Sequence, residues 1–394
     1  MRDAAFIDFE TLPIAARPIY PPAPVGVAVR VPGKKSRYLA WGHINGRNNA
    51  TWEDGRRTLA ELYDSRRPLV FHNAKFDLDV ADEHMGLPLP PWDRVHDTVP
   101  MLFLRDPRAS TYSLKPSAEA ILGQAPDERN AVEDWLMEHQ PVPGVKLSRS
   151  QNSDNYVGAF IAYAPPEVVG PYAVGDVDRT HDLFVKVLAE LTSRKMLDAY
   201  DRERRLLPAI MEMERAGVRV DHRRLSRDVE RYSKAQVAVD AWLAKRLKTP
   251  GLNVNSGDEL VAALLKAGVA TEDGLGWTDG GKSGVKKVQT NKEALEEGVT
   301  DPQILAVLRY RSQLKTFVGT FMRPWCETAS ETGGLIYTTW NTTRVDRGDG
   351  MAGARTGRAS STPNFQNIPK KTEPLFHHEK AGLPRAPIEL LPLP

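Results

Sequence analysis

Ala4-Ala5-Phe6-Ile7-Asp8-Phe9-Glu10-Thr11 opens the chain with an apolar run broken by two acids. Ala4–Phe9 reads as a short strand. Successive side chains of a strand face opposite sides, so Asp8 and Glu10, at i and i+2, point their carboxylates the same way. Such a pair is costly in a strand that would otherwise be buried. Asp-x-Glu alone is a common triplet, so its weight depends on what stands with it.

Working outward, Val25–Val31 and Arg37–Trp41 read as two more strands with a turn at Gly33–Lys35, and Leu69–His72 as a fourth, preceded by a helix around Leu59–Tyr63. Helices then dominate at Phe76–Met85, Leu114–Leu122, Val132–His139 and Val157–Tyr163. Early alternation followed by helices predicts an α/β fold, a mixed sheet covered by helices. Pro165, Pro166 and Pro171 read as a break. Val174–Leu191 follows as a helix with Val177, Phe184, Val187 and Leu188 on one face. A second helix, from about Leu197 to Arg215, stops at Ala216-Gly217. A boundary is expected near Ser193, giving domains at 1–192, 193–330 and 331–394. The middle region reads as nearly all helix around a Gly-rich loop at Asp273–Gly284. After Gly333-Gly334 the texture turns β-branched and aromatic, which reads as the start of a new unit.

The composition is that of an ordinary globular chain, 41% hydrophobic and 26% charged. No apolar run has the length of a membrane span and the N-terminus shows no signal core, so a cytoplasmic protein without membrane contact is expected. Cys326 is the only cysteine, which excludes an intrachain disulfide and a thiolate zinc cluster. A net charge of +2 does not by itself mark a nucleic-acid binder. Basic residues do gather at Arg202–Arg205, Arg223–Arg231 and Lys245–Lys248, as solvated helix faces or as a phosphate-facing surface.

Two further groups stand with Asp8 and Glu10. In His72-Asn73-Ala74-Lys75-Phe76-Asp77, Asp77 projects from the first turn of a helix and Asn73 can fix the loop; a plain helix cap is the structural alternative. Tyr172 and Asp176, at i and i+4, share a helix face; Asp178 and Asp182 nearby read as solvated charges. Four carboxylates from a strand, a helix start and a later helix form a hard oxygen set suited to Mg²⁺ or Mn²⁺. Two such ions can stabilise both the attacking and the leaving oxygen of a phosphoryl displacement.

Together, Ile7-Asp8-Phe9-Glu10-Thr11, His72-Asn73-x-x-x-Asp77 and Tyr172-x-x-x-Asp176 resemble the three motifs of the DEDD 3′→5′ exonuclease superfamily. Pro171 stands five residues before Asp176, where another branch has His, so the tyrosine branch is the better match. Asp97-Thr98 and Tyr112–Lys115 resemble stretches between the second and third motifs. Over roughly residues 4–190 the resemblance implies an RNase H-like fold and a proofreading activity. It implies two divalent ions on Asp8, Glu10, Asp77 and Asp176, with Tyr172 positioning the attacking water. It assigns Thr11 and Asn73 to holding a single-stranded 3′ end.

Thr356-Gly357-Arg358-Ala359-Ser360-Ser361-Thr362-Pro363-Asn364-Phe365-Gln366-Asn367-Ile368-Pro369 resembles a signature of family A DNA polymerases. Arg358, Asn364, Gln366 and Asn367 offer donors for minor-groove acceptors, a nearly sequence-blind readout of a primer–template duplex. Leu206–Asp221, Leu252–Leu260 and Ile304–Phe321 resemble that family's helical thumb, whose loop lysines Lys282, Lys286 and Lys287 would meet phosphates. Gly276–Ser283 also matches a phosphate-binding loop pattern, but its flanks lack the strand and helix such a loop needs.

In the polymerase family the palm carboxylates and the fingers follow this segment, and no stretch up to Pro394 resembles them. The expectation is therefore the exonuclease–thumb part of a phage-like polymerase, split or truncated, with palm and fingers on a separate polypeptide and a host cytoplasm as its setting. The alternatives are an RNase D-type exoribonuclease and a non-catalytic DNA-binding or assembly module.

Overall fold

The computed structural model describes residues 3–124, 127–150, 153–280, 284–343, 345–347, 350–352 and 356–367. These fall into two compact units. One is the N-terminal part to Gly217 together with Tyr337–Gln366; the other is Val218–Ile336 with Asn367.

The first unit is built on strands β1 (Ala5–Thr11), β2 (Pro24–Arg30) and β3 (Arg37–Ala40), helix α1 (Trp52–Asp64), β4 (Leu69–Phe71), α2 (Ala74–Met85) and β5 (Val95–Asp97). The sheet order is β3-β2-β1-β4-β5. β1 pairs antiparallel with β2 and parallel with β4, so the sheet is mixed as expected. β5 escapes the sequence reading because three residues are too few to show a period. Helices α3 (Thr98–Arg105), α4 (Leu114–Leu122), α5 (Asp127–His139), α6 (Pro166–Ser193) and α7 (Leu197–Ala216) follow.

β1 is central and buried on both sides. Ala4 and Phe6 join the core formed with α3, α4 and α6, while Ala5, Ile7 and Phe9 join the core formed with α1 and α2. The even-numbered column is therefore Ala4, Phe6, Asp8, Glu10 on the α6 side. It turns from apolar to acidic along the strand.

Helix α6 corrects the expected break. It runs unbroken from Pro166 through Pro171 to Ser193. Pro166 sits in the first turn, where its missing N–H costs nothing. Pro171 forfeits one bond early in the helix, while Val169, Ala173 and Val177, all fully buried, hold the backbone against the core. Val157–Tyr163 forms a 3₁₀ turn rather than an α-helix.

Helix α7 packs within the first unit, so that unit runs past Ser193 to Gly217. Buried Tyr200 exchanges hydrogen bonds with the Asp97 backbone, its Oη accepting from N–H at 3.0 Å and donating to C=O at 3.1 Å. Arg204, also buried, donates to Val95 O at 2.7 Å, and Arg205 lies over the Trp92 ring. These two arginines of the basic cluster are occupied in the fold. Arg215 donates to Asp79 and Asp82 on α2, each at 2.7 Å, and Arg17 closes on the other Asp79 oxygen at 2.7 Å. A buried carboxylate between two guanidiniums keeps its hydrogen bonds, which offsets its desolvation.

The second unit contains β6 (Val218–Arg219) and helices α8 (His222–Arg246), α9 (Gly257–Lys266), α10 (Glu272–Leu275), α11 (Lys292–Gly298), α12 (Pro302–Thr316) and α13 (Arg323–Glu331), then β7 (Leu335–Ile336), which pairs with β6. Tyr232, Val239, Leu243, Leu264, Ile304, Tyr310 and Leu314 form its core. Phe317–Met322 is a π-helical segment joining α12 to α13. The region is nearly all helix, as its sequence predicts.

The expected new unit after Gly334 takes another form. β8 (Thr339–Asn341), β9 (Val345–Arg347), β10 (Gly350–Ala352) and β11 (Ser360–Thr362) form two-stranded ribbons, β8 with β11 and β9 with β10, grouped with the first unit. They do not make a fold of their own because β8 is bonded to side chains of α2 and α7.

Candidate metal centre

Asp8, Glu10 and Asp176 come together. Each offers a carboxylate oxygen, and these oxygens lie within 4.8 Å of one another. The strand alternation delivers the first two, and the α6 face packed on the same side of the sheet delivers the third. Glu10 and Asp176 are buried, and Asp8 is partly open. Burial, then the charge of Asp176, pushes the Asp8 carboxyl up to about 7, with Lys115 pulling the other way. Burial and the charges of Asp8 and Asp176 hold Glu10 well above the usual carboxylate range. Hard oxygens under mutual repulsion suit a small divalent cation.

Asp77 stands apart from this trio. β4 pairs with β1 only at Ala5 and Phe6. Past that point β1 has lost its neighbour on this side, and Asp77 fills the gap, its Oδ1 accepting from Phe9 N–H at 2.9 Å. It is buried, and burial followed by the charge of Asp8 raises its carboxyl well above the ordinary value.

The loop before α2 is held differently from the sequence expectation. Asn73 is exposed, adopts a left-handed φ of 72°, and makes no capping bond with its side chain. The cap is Asp97, whose carboxylate accepts from Asn73 N–H at 3.0 Å, Ala74 N–H at 2.9 Å and Val99 N–H at 2.9 Å. Thr11 is buried, and its hydroxyl donates to Leu12 O at 2.8 Å.

Lys115 closes a stretch that the motif reading singles out, but that reading gives it no role. It is buried on α4, donates to Asp176 Oδ2 at 2.8 Å, and its ammonium lies 3.6 Å from the centroid of the Tyr172 ring. Arg179 lies 3.7 Å from Asp176 Oδ1. A helical lysine usually reads as solvated, so only the fold reveals this one. Its charge adds to burial in lowering the pKa of His72 to about 4. His72 is therefore neutral near pH 7; its Nδ1 sits 2.7 Å from Thr98 Oγ1.

Tyr38 closes the opposite side. Gly26 stands across from Glu10 in the sheet register, and a Cβ there would collide with the Tyr38 ring. Tyr38 Oη lies 2.6 Å from His43 Nε2, whose Nδ1 lies 2.8 Å from Ala164 O. The carbonyl can only accept, so Nδ1 carries the proton and the tyrosine hydroxyl donates to Nε2.

The other sequence candidates are more open. Arg358, Asn364 and Gln366 are exposed around β11; Gln366 Nε2 donates to Ala359 O at 2.9 Å. Asn367 is exposed and belongs to the second unit. In that unit Lys286 is exposed, and Lys287 pairs with Asp258 at 2.7 Å. Lys282 lies outside the described residues. The phosphate-loop pattern is preceded by the helical turn α10 rather than a strand, which removes its physical basis. No helix among the described residues is long and apolar enough to cross a membrane.

Residues 224–386 match the family model described as DNA polymerase family A. DNA polymerase DpoZ of Acinetobacter phage SH-Ab 15497 is 28% identical over 216 residues, covering 53% of this chain and 34% of that protein. DNA polymerase DpoZ of Vibrio phage phiVC8 is 27% identical over 323 residues, 77% of this chain and 47% of that one. DNA polymerase I of Chloroflexus aurantiacus is 25% identical over 385 residues, 95% of this chain and 36% of that protein. The chain thus spans between 34% and 47% of the length of these relatives. Among solved structures, the POL domain of Pol1 from M. smegmatis, in complex with DNA primer-template and dNTP, aligns with a TM-score of 0.62 at 21% identity, over 94% of this chain and 53% of that one. The likeness is one of fold, α/β with a helical region.

Proposed function

We propose that the first unit is a divalent-metal-dependent 3′→5′ exonuclease of the DEDD tyrosine branch, trimming DNA ends in the service of a family A DNA polymerase. The observation that carries this reading is the buried convergence of Asp8, Glu10 and Asp176 beside Tyr172 and Lys115. Three like charges share one small space, an arrangement that costs stability unless a cation is bound there.

Asp8, Glu10 and Asp176 would hold the ions, and Asp77 supports β1 beside them through Phe9 N–H. Bound there, Mg²⁺ or Mn²⁺ supplies the charge that stabilises the entering and departing oxygens of a phosphodiester. Lys115 orients Asp176 and fixes the Tyr172 ring through its positive charge. Tyr172 then offers its hydroxyl to orient a water against the terminal phosphodiester. Thr11 supports the end of β1 through backbone bonding, and exposed Asn73 is available to the 3′ nucleotide. Arg358, Asn364, Gln366 and Asn367, with Lys282, Lys286 and Lys287, form the proposed duplex-contacting set, and a separate polypeptide carrying palm and fingers is the proposed partner. The domains expected at 1–192, 193–330 and 331–394 become, in this reading, an exonuclease that runs on to Gly217, a thumb, and a palm-derived ribbon.

The test is loss of nucleotides from a 3′-labelled DNA strand with Mg²⁺. Asp8→Ala with Glu10→Ala should lower the rate by about a hundredfold or more, the ~3 kcal/mol or more expected of lost metal-borne charge stabilisation, while duplex binding persists. Undiminished trimming by the double variant contradicts the assignment. Preference for an RNA strand would instead favour the exoribonuclease alternative.

A further inference from the structure

Tyr38 stands between the two elements that carry the metal centre. Its ring lies over Gly26, the residue opposite Glu10 in the β1–β2 register, so closely that a Cβ there would fall on the hydroxyl. The other edge of the ring faces α6, where a Cβ at Gly170 would sit 3.8 Å from Tyr38 Cδ1, an ordinary contact. Gly170 is two residues before Tyr172. Glu10 and Asp8 are near enough that their charges add to burial in raising the Tyr38 pKa well above its usual value.

The hydroxyl donates to His43 Nε2 at 2.6 Å, and His43 Nδ1–H donates to Ala164 O at 2.8 Å. Burial lowers the His43 pKa, so the ring is neutral near pH 7 and keeps the lone pair that accepts from Tyr38. Ala164 stands just before Pro165, the N-cap of α6. Neighbouring bonds join the same two segments. Ile44 N–H donates to Ala162 O at 3.0 Å, Asn45 Nδ2 to Tyr163 O at 2.6 Å, and Arg47 N–H to Glu167 Oε1 at 3.2 Å. The start of α6 needs such outside support. Its cap residue makes no side-chain bond, and Pro166 and Pro171 offer no amide to the helix.

We infer that Tyr38, held through His43, is a positioning residue for Tyr172: it fixes the start of α6 against the Glu10 end of the sheet, and so fixes where the Tyr172 hydroxyl stands relative to the carboxylates. The inference rests on the exonuclease reading above. The carboxylates depend on this link less. Asp8 and Glu10 are placed by β1 itself, and Asp176 lies a turn further along α6, where Lys115 holds it. A hydroxyl that orients a water is more demanding, because a displacement on the order of 1 Å costs as much rate as losing the group.

The experiment crosses Tyr38→Phe with Tyr172→Phe in the full chain. Phenylalanine at 38 keeps the ring over Gly26 and gives up only the bond to His43. Single-turnover trimming of a 3′-labelled single strand at saturating Mg²⁺ should slow about fivefold for Tyr38→Phe in the parent. It should slow less than about twofold where Tyr172 is already Phe, since a hydroxyl that is absent cannot be misplaced. Tyr38→Phe should also speed hydrogen exchange at the Ile44 amide and leave Mn²⁺ affinity, measured calorimetrically, within about twofold of the parent. His43→Asn, whose shorter amide still donates to Ala164 O but no longer meets Tyr38, should give the same pattern and decides the matter where Tyr38→Phe folds poorly. Equal slowing in both backgrounds marks a general loss of stability and overturns the inference. So do an unslowed variant, unchanged exchange at Ile44, or Mn²⁺ binding that weakens in step with the rate; each leaves the exonuclease reading standing. A Tyr172→Phe chain as fast as the parent removes the hydroxyl's role and this inference with it. A parent chain that trims nothing removes the exonuclease reading as well.

Discussion

The acidic end of β1 and the lysine-bearing loop around Lys287 both place opposite charges within hydrogen-bond reach, yet they differ in kind. Lys287 meets Asp258 at 2.7 Å with side chains 59% and 70% exposed. Lys115 meets Asp176 at 2.8 Å with side chains 10% and 9% exposed. The distances are nearly equal, so distance does not separate them. Water screens the first pair, which contributes little to stability. The second pair is held out of water beside two further carboxylates, in an arrangement that desolvation opposes. A fold retains such a cluster at a cost in stability, which the proposed cation would offset.

Four perturbations sharpen this contrast. The largest effect belongs to Asp176. Asp176→Asn keeps the shape and removes a charged ligand, and 3′-end trimming should fall about a hundred- to a thousandfold, or ~3–4 kcal/mol in the barrier. Lys115→Met comes next. Removing one partner of a buried pair costs about 3 kcal/mol of folding stability, read as a lower urea midpoint in the absence of metal; added Mg²⁺ should recover much of that loss. An unchanged midpoint would place Lys115 with the exposed lysines. Tyr172→Phe removes a single hydroxyl and should slow trimming by about tenfold, or ~1.4 kcal/mol, measured as single-turnover rate. A loss equal to that of Asp176→Asn would mean that the roles are misassigned. Lys287→Ala should move the urea midpoint by less than the equivalent of about 0.5 kcal/mol. A larger shift would erase the distinction between the two regions.

Much of the candidate site's geometry is legible in the amino-acid sequence, because strand and helix periods are rigid. Asp8 and Glu10 must share a face if β1 is a strand, and Tyr172 and Asp176 must share one if α6 is a helix. What escapes is whatever depends on partners remote in the chain. Asp97 caps the loop before α2 from the end of a three-residue strand. Lys115 looks like any surface lysine until α4 is laid against α6. Pro171 reads as a breaker because local preference opposes a helical proline, but buried Val169, Ala173 and Val177 override it. The boundary expected near Ser193 rests on the turn between α6 and α7, a local feature, whereas Tyr200, Arg204 and Arg215 carry α7 back onto the same unit. The ribbon at Trp340 is readable as strand but not as docked, since the side chains that cover its edge stand far earlier in the chain.

Divalent-ion binding by the intact chain tests the central claim most directly. Mn²⁺ titrated calorimetrically near pH 8, above the value of about 7 to which the Asp8 carboxyl is pushed, should bind with proton release that grows as the pH is lowered through that value, because the ion displaces protons from the trio. Asp8→Asn with Glu10→Gln should abolish this binding and leave the chain folded. Mn²⁺ binding of unchanged affinity in the double variant would contradict it.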